Sequence, residues 1–337
     1  MDSLYSFSDL HPRVLTMIAV EAISKVYGGQ SVVSDVSFTV AQGKTLVLLG
    51  TSGSGKTTVL KMINRLVEPT SGRICINRED ISQAKPELLR RKIGYVIQQS
   101  GLFPHYTVYE NIALVPTLIG WPPTKIRQRV QTLLEVVGLS AEYAGRYPHE
   151  LSGGQQQRVG IGRALAADPP VVLMDEPFGA LDPITKQEMI REFASLGMLR
   201  EKTVVLVTHD VLEAFALGDR IYLLNEGIVQ QGGTPKELLF EPKNDFVRSF
   251  FQAQRLRLAM EVLTIADLIS KPLTEVSENL SDINPVSVDK DVTIFRILEI
   301  MEEEKTSWVS VSGLAGEVVI GRELMLQQLF AYQQGAG

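Results

Sequence analysis

Gly50-Thr51-Ser52-Gly53-Ser54-Gly55-Lys56-Thr57-Thr58 lies between the apolar run Leu46-Val47-Leu48-Leu49 and the helix-like Val59-Leu60-Lys61-Met62-Ile63. Strand, glycine-rich loop, helix is the context that a phosphate-cradling loop requires. The glycines let the backbone turn its N–H groups inward, and the following helix adds the positive end of its dipole, so a polyphosphate is held largely by main chain. In such a loop Lys56 reaches the β- and γ-phosphates and Thr57 ligates Mg²⁺. The plain alternative, a glycine-rich turn with a solvated lysine, leaves the strand before it and the helix after it unexplained.

The 337 residues suit one large domain plus one small one, and 45% apolar content supports a real core. No uninterrupted apolar run reaches the about 18 residues of a membrane span, and no charged-then-apolar signal opens the chain, so a cytoplasmic protein is expected. Residues 1–16 carry no usable pattern and read as a mobile appendage, with Met17 as an alternative start. Cys75 is the sole cysteine, which rules out an intrachain disulfide; within Gly72-Arg73-Ile74-Cys75-Ile76 it reads as strand core. A formal charge of −6 argues against a nucleic-acid partner, which needs a concentrated basic surface.

Met17 to Ile23 alternates like a first strand and Val32 to Val40 like a second. Tyr27, at the turn after the first, can either stack on an adenine ring or pack on the sheet. A helix is expected over Val59 to Leu66, a turn at Glu68 to Gly72, and a buried strand over Ile93 to Ile97 that ends on Gln98. Ligands of open α/β sheets sit at such carboxyl ends. Residues 99 to about 150 read as a helical insert, with the aromatic loop Gly101 to Tyr106 and a helix capped by Thr124 and stopped by Gly138.

Leu151-Ser152-Gly153-Gly154-Gln155 then opens a helix running to about Ala167. Ser152 and Gln155 have capping-box spacing, a purely structural role. Yet two consecutive glycines weaken a helix start by roughly 1 kcal/mol each relative to alanine, which favours an anion-binding backbone. Val171 to Met174 is an apolar strand ending in Asp175-Glu176. Two buried adjacent carboxylates repel unless a cation or water intervenes. Asp175 fits a Mg²⁺ ligand and Glu176 the base that orients an attacking water. Val204 to Val207 is another buried strand, and it delivers Thr208-His209-Asp210. A lone histidine is usually structural, but one at a strand's carboxyl end, in a chain that holds a phosphate loop and paired carboxylates, favours a γ-phosphate contact.

Together these residues resemble the ATP-binding subunit of an ABC transporter, over roughly Met17 to Phe251. The phosphate loop, Gln98, Leu151 to Gln155, Asp175-Glu176, Ala180-Leu181-Asp182 and His209 stand in that family's order, and Leu-Ser-Gly-Gly-Gln is its signature. The resemblance implies an α/β phosphate-loop NTPase with a helical subdomain, hydrolysing ATP with Mg²⁺ held by Thr57, Gln98 and Asp175. It implies a head-to-tail homodimer in which ATP on Gly50 to Thr58 of one copy is closed over by Ser152, Gly153, Gly154 and Gln155 of the other. Tyr27 then matches the adenine-stacking aromatic and Asp182 the loop coupling the two sites. Integral membrane permease subunits, gripped near Leu102 to Asn111, and a solute-binding protein outside the membrane are the implied partners, which puts the subunit peripherally on the inner membrane face.

Finer resemblance lies in Leu118 to Trp121, Arg146 to Glu150, Ala166 to Pro170 and Phe178 to Thr185, which look like the ATPases of osmoprotectant importers for glycine betaine, choline or carnitine. Importers of other small solutes, such as amino acids or sulfonates, are the alternative. A soluble ABC ATPase of translation or repair usually adds a second cassette, a long coiled coil or zinc-binding cysteines, none of which is seen; a phosphate-loop metabolite kinase leaves the signature unexplained. The expected domains are an extension to residue 16, an ATP-binding domain over 17–253, and a linker with a small α+β region over 254–337. From about Gln254 a polar, proline-punctuated linker leads to a strand at Asn284 to Val288, a helix at Val292 to Met301 and a strand at Trp308 to Val311, resembling one cystathionine-β-synthase (CBS) repeat. Residues 261–337 hold 5 Lys or Arg against 13 Asp or Glu, a net of −8. That composition does not support a cationic face reading anionic lipid.

Overall fold

A computed structural model describes residues 15–98, 101–179, 181–195, 201–268, 285–313 and 318–335. The chain divides into two compact units, one comprising Met1–His209 with Leu224–Val229, the other Asp210–Leu223 with Gln230–Gly337.

In the first unit, β1 (Thr16–Tyr27), β2 (Gln30–Ala41), β4 (Ser71–Ile76) and β5 (Glu79–Asp80) make an antiparallel sheet in the order β2-β1-β4-β5. Cys75 pairs with Ala19 there and is half-buried, not core, because Ile74 takes the inward face of the pleat. A second sheet sets β3 (Thr45–Gly50), β8 (Thr203–Thr208), β7 (Val171–Asp175) and β6 (Ile93–Val96) side by side, all parallel. Every residue of β7 and β8 is buried, as unbroken apolar runs in a sheet covered on both faces require.

The helix after the phosphate loop, α1 (Lys56–Ile63), starts three residues before the expected Val59. Gly55 caps it at φ 92°, so Lys56 and Thr57 fall in its first turn; it stops at Asn64, ahead of Arg65 at φ 48°. The short α2 (Pro86–Arg91) leads into β6. The insert consists of α3 (Val108–Leu118), α4 (Pro123–Val136) and α5 (Gly153–Leu165), which pack on one another. Pro122, not Thr124, caps α4: the fixed φ of Pro123 suits the first helical position and moves the start ahead of the threonine. Gly138 ends that segment at φ 67°, as expected. α5 stops at Leu165 rather than Ala167, where Arg129 of α4 donates to the carbonyls of Leu165 (2.8 Å) and Ala166 (3.2 Å). After β7 comes α6 (Pro183–Ser195).

The second unit begins with the helix Val211–Leu217, capped by Asp210, whose Oδ1 accepts from the N–H groups of Leu212 and Glu213. The strands β9 (Arg220–Asn225) and β10 (Ile228–Gly233) straddle the division. The expected linker is partly helical: Arg255–Val262 and Ile265–Leu268 bury Leu258, Ala259, Ile265 and Leu268. β11 (Val286–Asp289) runs parallel to β12 (Trp308–Ser312), which pairs antiparallel with β13 (Val318–Gly321); helices Ile294–Glu303 and Arg322–Gly335 complete this part. Within this unit Lys236 pairs with Asp267, and Phe240 meets Tyr332 edge-on at 5.2 Å. The strand expected at Asn284 to Val288 is found at Val286–Asp289, with Pro285 outside it; Asn284 lies outside the described residues, as do residues 1–14 and Ala180.

Close approach of α5 to β6 depends on Gly94, where a Cβ would stand 2.5 Å from the Ala164 carbonyl oxygen. Gly94→Ala must push helix and strand apart, and a loss of about 1–3 kcal/mol in unfolding free energy is expected, read from the midpoint and slope of a urea titration.

Candidate active site

The carboxyl ends of the parallel strands finish level. Leu49 pairs with Thr208, Val207 with Asp175 and Met174 with Val96. Residues just past those pairs therefore converge on one edge: the phosphate loop after β3, His209 after β8, Glu176 after β7 and Gln98 after β6.

The loop turns through Gly53 at φ 80° and Gly55 at φ 92°, backbone that other residues rarely adopt. A Cβ at Gly55 would also stand 2.7 Å from the Val32 carbonyl oxygen. Thr51, Ser52 and Gly53 are exposed at the loop tip, whereas Ser54 and Gly55 are buried and Thr57 and Thr58 half-buried. Lys56 is only 5% exposed. Its ammonium donates to the carbonyls of Gly50 (2.9 Å) and Thr51 (2.7 Å) and to Ser54 Oγ (3.3 Å), so the loop folds around its own lysine. Burial lowers the Lys56 pKa, and the carboxylates of Glu176 and Asp175 partly oppose that shift.

Thr57 Oγ1 donates to Asp175 Oδ1 at 2.8 Å. Asp175 is buried, and desolvation raises its pKa; the bond from Thr57 works against the rise and the nearby Glu176 charge adds to it. Glu176 leaves β7 at φ 46°, a left-handed conformation of the kind that clusters at functional sites. Its Oε2 accepts from Gln98 Nε2 at 2.8 Å and its Oε1 lies 3.1 Å from His209 Nδ1. The two adjacent carboxylates thus avoid each other by engaging different partners, Asp175 toward α1 and Glu176 toward β6 and β8.

The Thr57 hydroxyl and the buried Asp175 carboxylate, 2.8 Å apart, are hard oxygen donors of the kind that Mg²⁺ takes, and Gln98, bonded through its amide nitrogen to the neighbouring Glu176, has an amide oxygen of the same kind. Lys56 and the loop N–H groups supply the complementary surface for phosphate oxygens.

Ser152 to Gln155 stand elsewhere, at the start of α5. The capping box forms: Gln155 N–H donates to Ser152 Oγ at 3.3 Å, and Ser152 N–H donates to Gln155 Oε1 at 3.0 Å. Gln155 Nε2 donates on to Tyr143 OH at 3.1 Å. A Cβ on Gly154 would reach Leu181 and Thr185 at 3.5 Å, so the signature run lies beside the Asp182 stretch. Asp182 Oδ1 accepts from the N–H groups of Ile184 (3.2 Å) and Thr185 (3.1 Å), and the hydrogen bonds from Thr185 hold its pKa down. None of the described hydrogen bonds joins Ser152–Gln155 or Asp182 to the Lys56 loop. Tyr27 ends β1 with 46% of its surface exposed and Lys25 Nζ 4.9 Å from its ring centre, a presented rather than packed aromatic.

One residue without a sequence signal organises the aromatic loop. Asn111, fully buried in α3, accepts from Phe103 N–H at 2.9 Å and donates to the carbonyls of Phe103, Tyr106 and Thr107 at 3.0–3.2 Å. An asparagine in the second turn of a helix reads locally as a surface polar residue.

The ABC transporter family pattern matches residues 33–179. The glycine betaine/carnitine/choline transport ATP-binding protein OpuCA of Bacillus subtilis (strain 168) is 49% identical over 290 residues, covering 86% of this chain and 73% of that protein. The chain belongs to the ABC transporter family. Within it, the choline transport ATP-binding protein OpuBA of Bacillus subtilis (strain 168) is 47% identical over 86% of this chain and 74% of that protein. The glycine betaine uptake system ATP-binding protein YehX of Escherichia coli (strain K12) is 47% identical over 79% of this chain and 87% of that one. Among solved structures, the dimeric post-hydrolysis state of the ATP-binding cassette MJ0796 bound to ADP and Pi aligns with a TM-score of 0.59 and 34% identity. That alignment takes in 65% of this chain and 98% of the cassette. The fold is accordingly that of an ABC ATPase, a phosphate-loop NTPase, and the chain is a transporter ATPase that binds and hydrolyses ATP. No helix of the described residues is long and apolar enough to cross a membrane.

The raised Asp175 pKa gives a signed expectation. Ionised Asp175 is disfavoured in the folded chain above that pKa, whereas below the unfolded value both states are protonated and the group contributes nothing. Asp175→Asn should therefore raise the thermal midpoint of the nucleotide-free protein at neutral pH. The gain should shrink as pH falls through the raised pKa toward the ordinary carboxylate value, while Mg²⁺ dependence of nucleotide binding is lost.

Proposed function

We propose that this protein is the ATPase subunit of an importer for an osmoprotectant of the quaternary-amine class, such as glycine betaine, choline or carnitine. The observation that carries the chemistry is the convergence of Lys56, Thr57, Asp175, Glu176, Gln98 and His209 at one sheet edge. The cargo reading is supported by relatives named for glycine betaine, carnitine and choline transport.

In this reading Gly50 to Thr58 cradle the phosphates, with Lys56 exchanging its loop carbonyls for phosphate oxygens. Mg²⁺, held by Thr57, Asp175 and Gln98, supplies neutralisation of phosphate charge when bound. Glu176 accepts a proton from the attacking water, and its bonds from Gln98 and with His209 fix its two oxygens beforehand. His209 donates to the γ-phosphate in the same reading, supported by its contact with Glu176. Tyr27 stacks on the adenine.

Ser152 to Gln155 complete the site of a second copy. Packing within the chain gives no reason for glycine at 153, where a Cβ would meet nothing, and only ordinary contact at 154. Bare backbone at a helix start suits the approach of another copy's phosphates. Asp182, beside the same helix start, then lies at the dimer seam. The aromatic loop held by Asn111, with Phe103 47% and Tyr106 41% exposed, is the surface offered to a permease on the inner membrane face, which would act with a solute-binding protein outside. The strand-helix-strand-strand-helix order of Val286 to Gly335 supports a CBS-like regulatory module carried as a single repeat.

Glu176→Gln should keep nucleotide affinity, lower turnover by about 100-fold or more, and trap an ATP-bound dimer, followed by phosphate release and sedimentation. Unchanged turnover would remove Glu176 as the base. Ser152→Ala should lower hydrolysis without altering nucleotide affinity of the isolated chain; full activity in that variant would refute the two-copy site. Cells lacking the gene should lose uptake of radiolabelled glycine betaine or choline at high osmolarity, and unaltered uptake of both would redirect the cargo assignment.

A further inference from the structure

We propose that Tyr143 is a positioning residue of the ATPase: its hydroxyl anchors the Gln155 side chain and so keeps the first turn of α5 formed while Ser152 and Gly154 turn toward the partner copy's nucleotide. This rests on the two-copy reading above and deepens it.

α5 opens on Gly153-Gly154, each costing roughly 1 kcal/mol of helix stability against alanine, so this turn is prone to fray. The capping box offsets that cost, but unequally. The bond from Gln155 N–H to Ser152 Oγ is long at 3.3 Å, and the same hydroxyl is the group that would reorient toward phosphate. When it does, the turn is left with the other half of the box, Ser152 N–H to Gln155 Oε1 at 3.0 Å. That half depends on a long side chain whose torsional freedom must be held in check.

Tyr143 holds it. Its oxygen accepts from Gln155 Nε2 at 3.1 Å, so both ends of the amide are engaged, one on the helix start and one on the tyrosine. The tyrosine is itself fixed. It lies in the 3₁₀ turn Ala141–Gly145, its N–H donates to the Ser140 carbonyl and its carbonyl accepts from Arg146 N–H, both at 3.0 Å. The Arg146 guanidinium covers the ring at 4.2 Å, and the Arg146 carbonyl accepts from Val108 N–H at 2.8 Å, tying the turn to the first residue of α3. Ring packing and hydroxyl bonding are therefore separable: phenylalanine keeps the stack under Arg146 and loses only the bond to Gln155.

The test uses the full chain carrying Glu176→Gln, with Tyr143→Phe, Gln155→Ala and both together. Three quantities are read: ATP-induced dimerisation by sedimentation, affinity of the monomer for a fluorescent ATP analogue, and the thermal midpoint. Loss of one hydrogen bond predicts that Tyr143→Phe weakens the ATP-induced dimer about three- to tenfold per site. Monomer affinity should not move, the thermal midpoint should fall by less than the loss at the dimer implies, and the effect on the dimer should vanish once Gln155 is alanine. An equal cost with and without Gln155, a matching fall in thermal midpoint, or an unchanged dimer would each overturn the role. If Glu176→Gln alone forms no dimer with ATP, the two-copy reading falls and Tyr143's role falls with it; a dimer indifferent to Tyr143 refutes only the latter.

Discussion

Level register among four parallel strands is the constraint on which the rest of this protein depends. Each strand is a short apolar run without alternation, so nothing in the runs themselves sets how far one slides past the next. Once Leu49 stands against Thr208, Asp175 against Val207 and Val96 against Met174, the residues beyond those pairs are delivered to one edge. A slip of one residue would move a chemical group about 3.3 Å along the strand, enough to break every bond in the cluster. Gln98 reaches Glu176 because each stands two residues past a paired position.

The same arrangement places charges where they are unfavourable. Lys56 and Asp175 are buried, and burial drives the pKa of one down and of the other up. The loop carbonyls of Gly50 and Thr51 satisfy the ammonium and Thr57 satisfies one carboxylate oxygen, which leaves a net demand for a polyanion on one side and a cation on the other. Left-handed backbone at Glu176 adds local strain. A site built this way is held in place by its surroundings.

Beyond the sheet, the helical insert divides the work. Arg129 closes the end of α5, Gly94 lets that helix lie close to β6, and Asn111 gathers the aromatic loop. The start of α5 carries glycines that its own chain does not need. The chain thus carries two separate features, a phosphate loop with its carboxylates and a glycine-bearing helix start, with no described bond between them. The second unit is organised separately, around the three-stranded sheet β11-β12-β13 and the Lys236 and Asp267 pair.

Much of this could be read along the chain. Glycine spacing ahead of Lys56 encodes positive-φ backbone, Ser152 with Gln155 encodes a capping box, and apolar runs ending in Gln98, Asp175-Glu176 and His209 encode buried strands with chemistry at their ends; all depend on interactions within a few residues. Helix limits were less legible, because Pro123 and Gly55 shift starts by backbone geometry that apolar periodicity does not record. The half-burial of Cys75 and the helices within the supposed linker depended on which faces found partners. The bond from Thr57 to Asp175, the split of the two carboxylates between different partners, and the holds exerted by Asn111 and Tyr143 were decided only by the tertiary structure. Those contacts join residues brought together by strand register and helix packing, and such distances are set by the whole fold rather than by any neighbouring stretch of sequence.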